Sequence, residues 1–162
     1  MIKKLSVKGF RILRNFTWEP KPKLNIIAGA NSAGKSTILD AIELVSKGSI
    51  RGLSLRFTPT PDMFNRNDVI DFFQAVSQGQ FQESKIPRFE ITAIFDSNSD
   101  SNLAALQGCN GPEGPSADAP GLFFTCEVPS QLQSQFLQEV KTFVQPDKDS
   151  WVLPVEYYSC EW

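Results

Sequence analysis

Apolar and polar positions divide the chain into short strands and helices. Ile2, Leu5, Val7 and Phe10 punctuate Lys3, Lys4, Ser6 and Lys8 in rough alternation, the period of a strand with one wet face. A second extended stretch runs over 10–19, and Pro20 and Pro22 make 19–23 a turn. The short apolar run 24–28 (Leu24, Ile26, Ile27 and Ala28 around Asn25) predicts a buried strand. Ile38, Leu39, Ala41, Ile42 and Val45 then recur at helical spacing, and Gly48 is placed to end that helix. Residues 49–66 predict irregular structure, because Pro59 and Pro61 cannot sit inside a helix. Asn67 is placed to cap a helix through Val69, Ile70, Phe72, Phe73 and Val76, with Gly79 as its stop. Over 86–96, Phe89, Ile91, Ala93 and Phe95 alternate with Glu90, Thr92 and Ile94, which predicts a strand.

Residues 97–121 are rich in Ser, Gly and Pro and predict a long flexible insertion. A strand is expected over 122–128. Ser130 and Gln133 fit a capping box for a helix that lines up Leu132, Phe136, Leu137, Val140 and Phe143 and ends at Pro146. A near-apolar final strand is expected over 151–158. No internal repeat and no heptads break this pattern.

Between the run at 24–28 and the first helix lies Gly29-Ala30-Asn31-Ser32-Ala33-Gly34-Lys35-Ser36-Thr37, which fits G-x-x-x-x-G-K-[ST], the phosphate-binding P-loop. Such a loop turns backbone N–H groups toward phosphate oxygens, and Gly29 and Gly34 permit turns that a Cβ would hinder. Lys35 is expected to reach the β- and γ-phosphates as a point charge. The Ser36 hydroxyl is expected to ligate Mg²⁺, Thr37 to bond the α-phosphate, and the helix start to add its positive end. Strand, Gly-containing loop and helix in this order are the context the motif requires.

Composition narrows the classes. The chain has 162 residues, 41% of them hydrophobic, with a formal charge of −2, so a single domain or part of a larger one can bury a core. Nothing in the overall charge pulls the chain toward nucleic acid or a membrane surface. The three cysteines, Cys109, Cys126 and Cys160, have no C-x-x-C spacing and read as free thiols of a reducing compartment. No apolar run is long enough to span a bilayer, and the N-terminus lacks a signal-peptide core, so the expected location is the cytoplasm, with no membrane partner. With no histidine, His-based triads, His bases and His-ligated metals are excluded, and any chemistry rests on phosphates, Mg²⁺, Lys, Arg and carboxylates.

The stretch Lys8-Gly9-Phe10-Arg11-Ile12-Leu13-Arg14-Asn15-Phe16 resembles the opening strand pair of ABC-type ATPases related to SMC and RecF proteins. Residues 31–42, from Asn31 through Lys35 to Ile42, are similar to that group's Walker A segment, closest to the OLD-like AAA ATPases of DNA repair and phage defence. The resemblance covers 1–48 and fades afterwards. It implies an α/β P-loop NTPase (ABC-ATPase-like) core with an antiparallel β subdomain, here as an incomplete N-terminal lobe over 1–162. It also implies ATP and Mg²⁺ as cofactors. Hydrolysis would then require signature and Walker B motifs from a homo-dimer or complementary ATPase half, with DNA or an effector nuclease as further partners. In that group an arginine of the opening strand pair lies near the nucleotide, which makes Arg11 and Arg14 candidates beside the alternative of a solvated face. Arg51 and Arg56 are weaker candidates for ligand phosphates.

Catalytic residues cannot be named from the sequence. Ile91-Thr92-Ala93-Ile94-Phe95-Asp96 resembles a Walker B strand whose carboxylate holds Mg²⁺. Against that reading, Ser97 follows where a catalytic Glu would stand, and alternation favours an antiparallel-sheet strand over a parallel central one. No LSGGQ-like signature and no switch histidine occur. A non-hydrolysing nucleotide-binding module, a transporter-type ABC ATPase subunit and a small P-loop kinase using Asp96 remain as alternatives.

Overall fold

The computed structural model describes residues 1–50, 52–54, 59–80, 82–96, 106, 119–143 and 151–162. β1 (Ile2–Phe10) and β2 (Leu13–Trp18) form a hairpin, and α1 (Lys35–Lys47) follows. β3 (Ser49–Ile50) and β4 (Leu53–Ser54) make a minimal two-stranded ribbon. Then come α2 (Arg66–Ser77), β5 (Phe89–Phe95), β6 (Gly121–Glu127), α3 (Ser130–Phe143) and β7 (Ser159–Glu161). The main sheet has five strands in the order β2-β1-β5-β6-β7, and every pairing in it is antiparallel.

Register divides the sheet into an apolar and a polar face. Phe16, Val7, Ile91 and Phe124 stand in one row, and Trp18, Leu5, Ala93 and Leu122 in the next. The alternate rows carry Thr17, Ser6, Thr92 and Phe123, then Asn15, Lys8, Glu90 and Thr125. On that second face Glu90 is held by Lys8 at 3.6 Å and Arg88 at 3.2 Å. Period-two side-chain alternation in an antiparallel sheet produces this division.

α1 packs on β1, β5 and β6, burying Ile38, Ala41, Leu44 and Val45. Gly48 ends it in the left-handed conformation (φ 66°), its N–H bonding the Leu44 carbonyl at 2.8 Å, as expected of a C′ glycine. Leu39, expected on the apolar stripe, is instead 62% exposed, one helical step off it. An aromatic chain ties α2 and α3 to the sheet. Phe72 of α2 stacks on Phe136 of α3 at 5.8 Å, Phe136 meets Tyr158, and Phe64 bridges Tyr158 and Phe89.

Four expectations are corrected. Residues 24–28 form no strand: they join no ladder among the described residues, and Leu24 is 75% and Ile26 81% exposed. α2 is capped by Asn65, not Asn67. β5 starts at Phe89 rather than 86, since Pro87 has no N–H for the ladder. The stretch 151–158 is not a strand: Trp151 stacks on Phe73 at 5.5 Å, a 3₁₀ turn follows at Val155–Tyr157, and only Ser159–Glu161 pairs, on the sheet edge. Most of the expected insertion at 97–121, and Pro146, lie outside the described residues.

Candidate functional site

The site is built on the β1–β2 turn. Phe10 pairs with Leu13, so Arg11 and Ile12 are the two turn residues, with Arg11 at φ 49°. The left-handed region is uncommon for a side-chain-bearing residue, and neighbouring backbone holds it in place. Arg11 N–H donates to the Met63 carbonyl at 2.8 Å and Asn65 N–H to the Gly9 carbonyl at 2.7 Å. The Asn65 amide donates to the Arg11 carbonyl at 2.6 Å. The same Asn65 accepts, through Oδ1, the N–H groups of Asn67 and Asp68 at 3.1 and 3.4 Å, which caps α2. Gly9 is required here: at φ 68°, a Cβ would stand 2.1 Å from the Arg88 carbonyl oxygen.

The loop at 29–34 seats on this turn. Ala33 N–H donates to the Ala30 carbonyl at 3.3 Å, Ser32 has φ 64° and Gly34 φ 88°, and α1 starts at Lys35. A Cβ on Gly34 would lie 2.9 Å from Ile12 Cγ2 and 3.4 Å from Leu13 Cδ2, so glycine permits the close approach. The Lys35 ammonium folds back over the loop and donates to the carbonyls of Gly29 at 2.8 Å and Ala30 at 2.6 Å. Gly34 offers no side-chain cap, and the first intrahelical bond runs from Ile38 N–H to the Gly34 carbonyl at 3.1 Å. The N–H groups of Lys35, Ser36 and Thr37 therefore stand at the helix mouth without an intrahelical acceptor. Asn31, Ser32 and Ser36 are exposed, whereas Thr37 is buried. Backbone donors, a positive helix end and a lysine together make an arrangement suited to an anion.

The arginines have carboxylate partners. The Arg11 guanidinium bonds the buried Asp40 of α1, lies 3.9 Å from Asp62 and sits over the Phe10 ring, 5.4 Å from its centroid. Its Nε is buried with no hydrogen-bond partner. Arg14 pairs with Asp71 at 2.5 Å and Asp68 at 2.7 Å of α2, and these carboxylates raise its pKa. Burial pushes the Asp68 carboxyl above its ordinary value, with Arg14 opposing that shift. Arg51 and Arg56 lie outside the described residues. A cleft of about 620 Å³ opens at the same turn, lined in part by Arg11, Ile12, Asp62, Asn65, Arg66 and Trp151.

Asp96 stands elsewhere. Its N–H bonds the Met1 carbonyl at 3.0 Å, at the start of β1, whereas the loop seats beyond the end of that strand. The length of β1 separates them by about 25 Å. With β5 antiparallel to both neighbours, the antiparallel-strand reading of 91–96 holds and the Walker B reading is set aside.

Two elements of the site escaped the sequence reading. Asp40 falls on the buried stripe with Thr37, Ala41 and Leu44; a carboxylate on such a stripe is itself a signal of a buried partner. Asn65 is the other: the sequence places the cap signal on Asn67, and the structure puts the cap two residues earlier.

A family model described as an AAA domain matches residues 4–146. The chain is 41% identical over 63 residues to the DNA replication and repair protein RecF of Thioalkalivibrio sulfidiphilus, covering 38% of this chain and 18% of that protein. It is 39% identical over 64 residues to the protein of that name from Desulforamulus reducens, covering 40% and 16%. The matched stretches thus span less than a fifth of these relatives. From the length of the family match, the chain belongs to the AAA domain family, and over part of its length it is similar to RecF proteins.

Proposed function

We propose that the chain is the ATP-binding lobe of an SMC/RecF/OLD-like ATPase acting in DNA repair and maintenance or in phage defence. The observation that carries the reading is the Lys35 ammonium arched over the Gly29 and Ala30 carbonyls at the uncapped start of α1. Residues 29–37 would hold the phosphates, by backbone N–H groups and by Lys35 once it leaves the loop carbonyls for phosphate oxygens. The exposed Ser36 hydroxyl fits a Mg²⁺ ligand. A Mg²⁺ ion held there would supply neutralisation of phosphate charge. Arg11, fixed beside α1 by Asp40, is the candidate for a supporting charge at the phosphate mouth.

Hydrolysis would draw on signature and Walker B motifs from elsewhere, in a homo-dimer or a complementary ATPase half. Two observations support that need: Asp96 is far from the loop, and Leu24, Ile26 and Leu39 leave apolar surface uncovered around it. DNA or an effector nuclease is the proposed downstream partner, in the cytoplasm. Among the described residues, no helix is long and apolar enough to cross a membrane.

The test is equilibrium binding of a fluorescent ATP analogue with Mg²⁺ present. Lys35→Ala removes the charge that meets the β- and γ-phosphates, and affinity is expected to fall tenfold or more, equivalent to at least ~1.4 kcal/mol. Equal binding by wild type and variant would show that Lys35 does not meet the phosphates.

A further inference from the structure

Cys126 and Cys160 face each other across the β6–β7 ladder as directly registered partners, with Sγ atoms 2.8 Å apart. Both are free thiols; Cys126 is fully buried and Cys160 partly exposed. Closing a disulfide of about 2.0 Å from this position needs less than ~1 Å of sulfur movement and no change of register. Trp162, beyond β7, packs edge-on against Phe124 at 4.8 Å and covers Gly48, where a Cβ would meet its ring at 1.9 Å. Trp162 thus carries the chain from β7, a short strand on the sheet edge, to the C-terminal end of α1, whose other end carries Lys35.

We infer that Cys126 and Cys160 form an oxidant-closed pair: reduced in a reducing thiol pool, and joined by a low-molecular-weight disulfide such as oxidised glutathione. The Cys160 thiolate, the accessible one, attacks one sulfur of the oxidant, forming a mixed disulfide and releasing one glutathione thiolate. Cys126, losing its proton, then attacks the Cys160 sulfur and releases the second glutathione. Two protein thiols are oxidised, one disulfide oxidant is reduced to two thiols, and the protons pass to the solvent and the leaving thiolates. Burial pushes the Cys126 thiol up, which fits its part as the second, resolving thiol, reacting only once a sulfur is held against it. The bond ties the edge strand, and the tryptophan after it, to the sheet under α1.

The experiment uses the whole chain, wild type and Cys109→Ser, incubated with oxidised glutathione, blocked with an alkylating reagent and mapped without reduction. Trypsin cuts after Lys141, between the two cysteines, so a joined pair appears as two linked peptides. The expected result is a Cys126–Cys160 linked peptide in both proteins, with Tm raised by roughly 5–15 °C and restored by dithiothreitol. Cys160→Ser, altered at the partly exposed position, should show neither the link nor the shift. Glutathione left on Cys160, links between molecules, or two thiols that stay unreacted while the chain remains folded would each overturn the inference.

Discussion

Ser36 and Thr37 are consecutive residues of α1 with opposite surroundings, the first exposed at the helix mouth and the second buried. Their proposed roles differ accordingly. Ser36 acts through the ion, so Ser36→Ala should weaken analogue binding about tenfold with Mg²⁺ and by less than about twofold when the metal is chelated. Paired titrations measure both, and identical losses would leave Ser36 a purely structural role. At this scale the loop is legible where the residue type itself is required: glycine at position 34, where φ is positive and a Cβ would meet Ile12, and lysine at 35, whose ammonium reaches back over the loop. Gly34 at φ 88° and Lys35 on the Gly29 carbonyl show both. The Arg11–Asp40 pair was not legible, since 29 positions separate its members and only packing brings them together.

The β1–β2 hairpin and the start of α2 are joined by one side chain, and that junction positions the loop. Asn65 caps α2, bonds the Arg11 carbonyl through its amide and holds the Gly9 carbonyl through its backbone. Asn65→Ala should lower stability by about 2 kcal/mol, from the lost cap and an orphaned carbonyl. Asn65→Asp, which keeps the cap acceptor but not the amide donor, should lose about half of that. Chemical denaturation of the three proteins measures it; a loss below ~0.5 kcal/mol for Asn65→Ala would show that the turn holds without this clamp. Elements with strong local patterns were read well: β1 and β5 from alternation, α1 and α3 from helical spacing. The misread ones depend on neighbours. Residues 24–28 have the apolarity of a strand but no ladder beside them, and at 151–158 aromatic stacking and Pro154 override the apolar run.

At the scale of the whole molecule, the described residues form an antiparallel sheet with an apolar face under α1 and the 29–34 loop seated at one end. The sequence named the antiparallel part and the loop. How far apart the loop and Asp96 stand could not be seen from spacing, because strand order decides it. Phosphoryl transfer needs an in-line water, a carboxylate to orient it, Mg²⁺ held on two sides and charge opposite the loop. The described residues bring only the loop side together, and positioning and electrostatics supply most of the rate in this chemistry. Phosphate release by the purified chain in Mg²⁺-ATP is therefore the most direct measurement. The chain alone should show negligible turnover, and turnover should appear once a polypeptide carrying the signature and Walker B motifs is added. Steady release at ~1 s⁻¹ or faster by the chain alone, abolished by Lys35→Ala, would contradict this expectation.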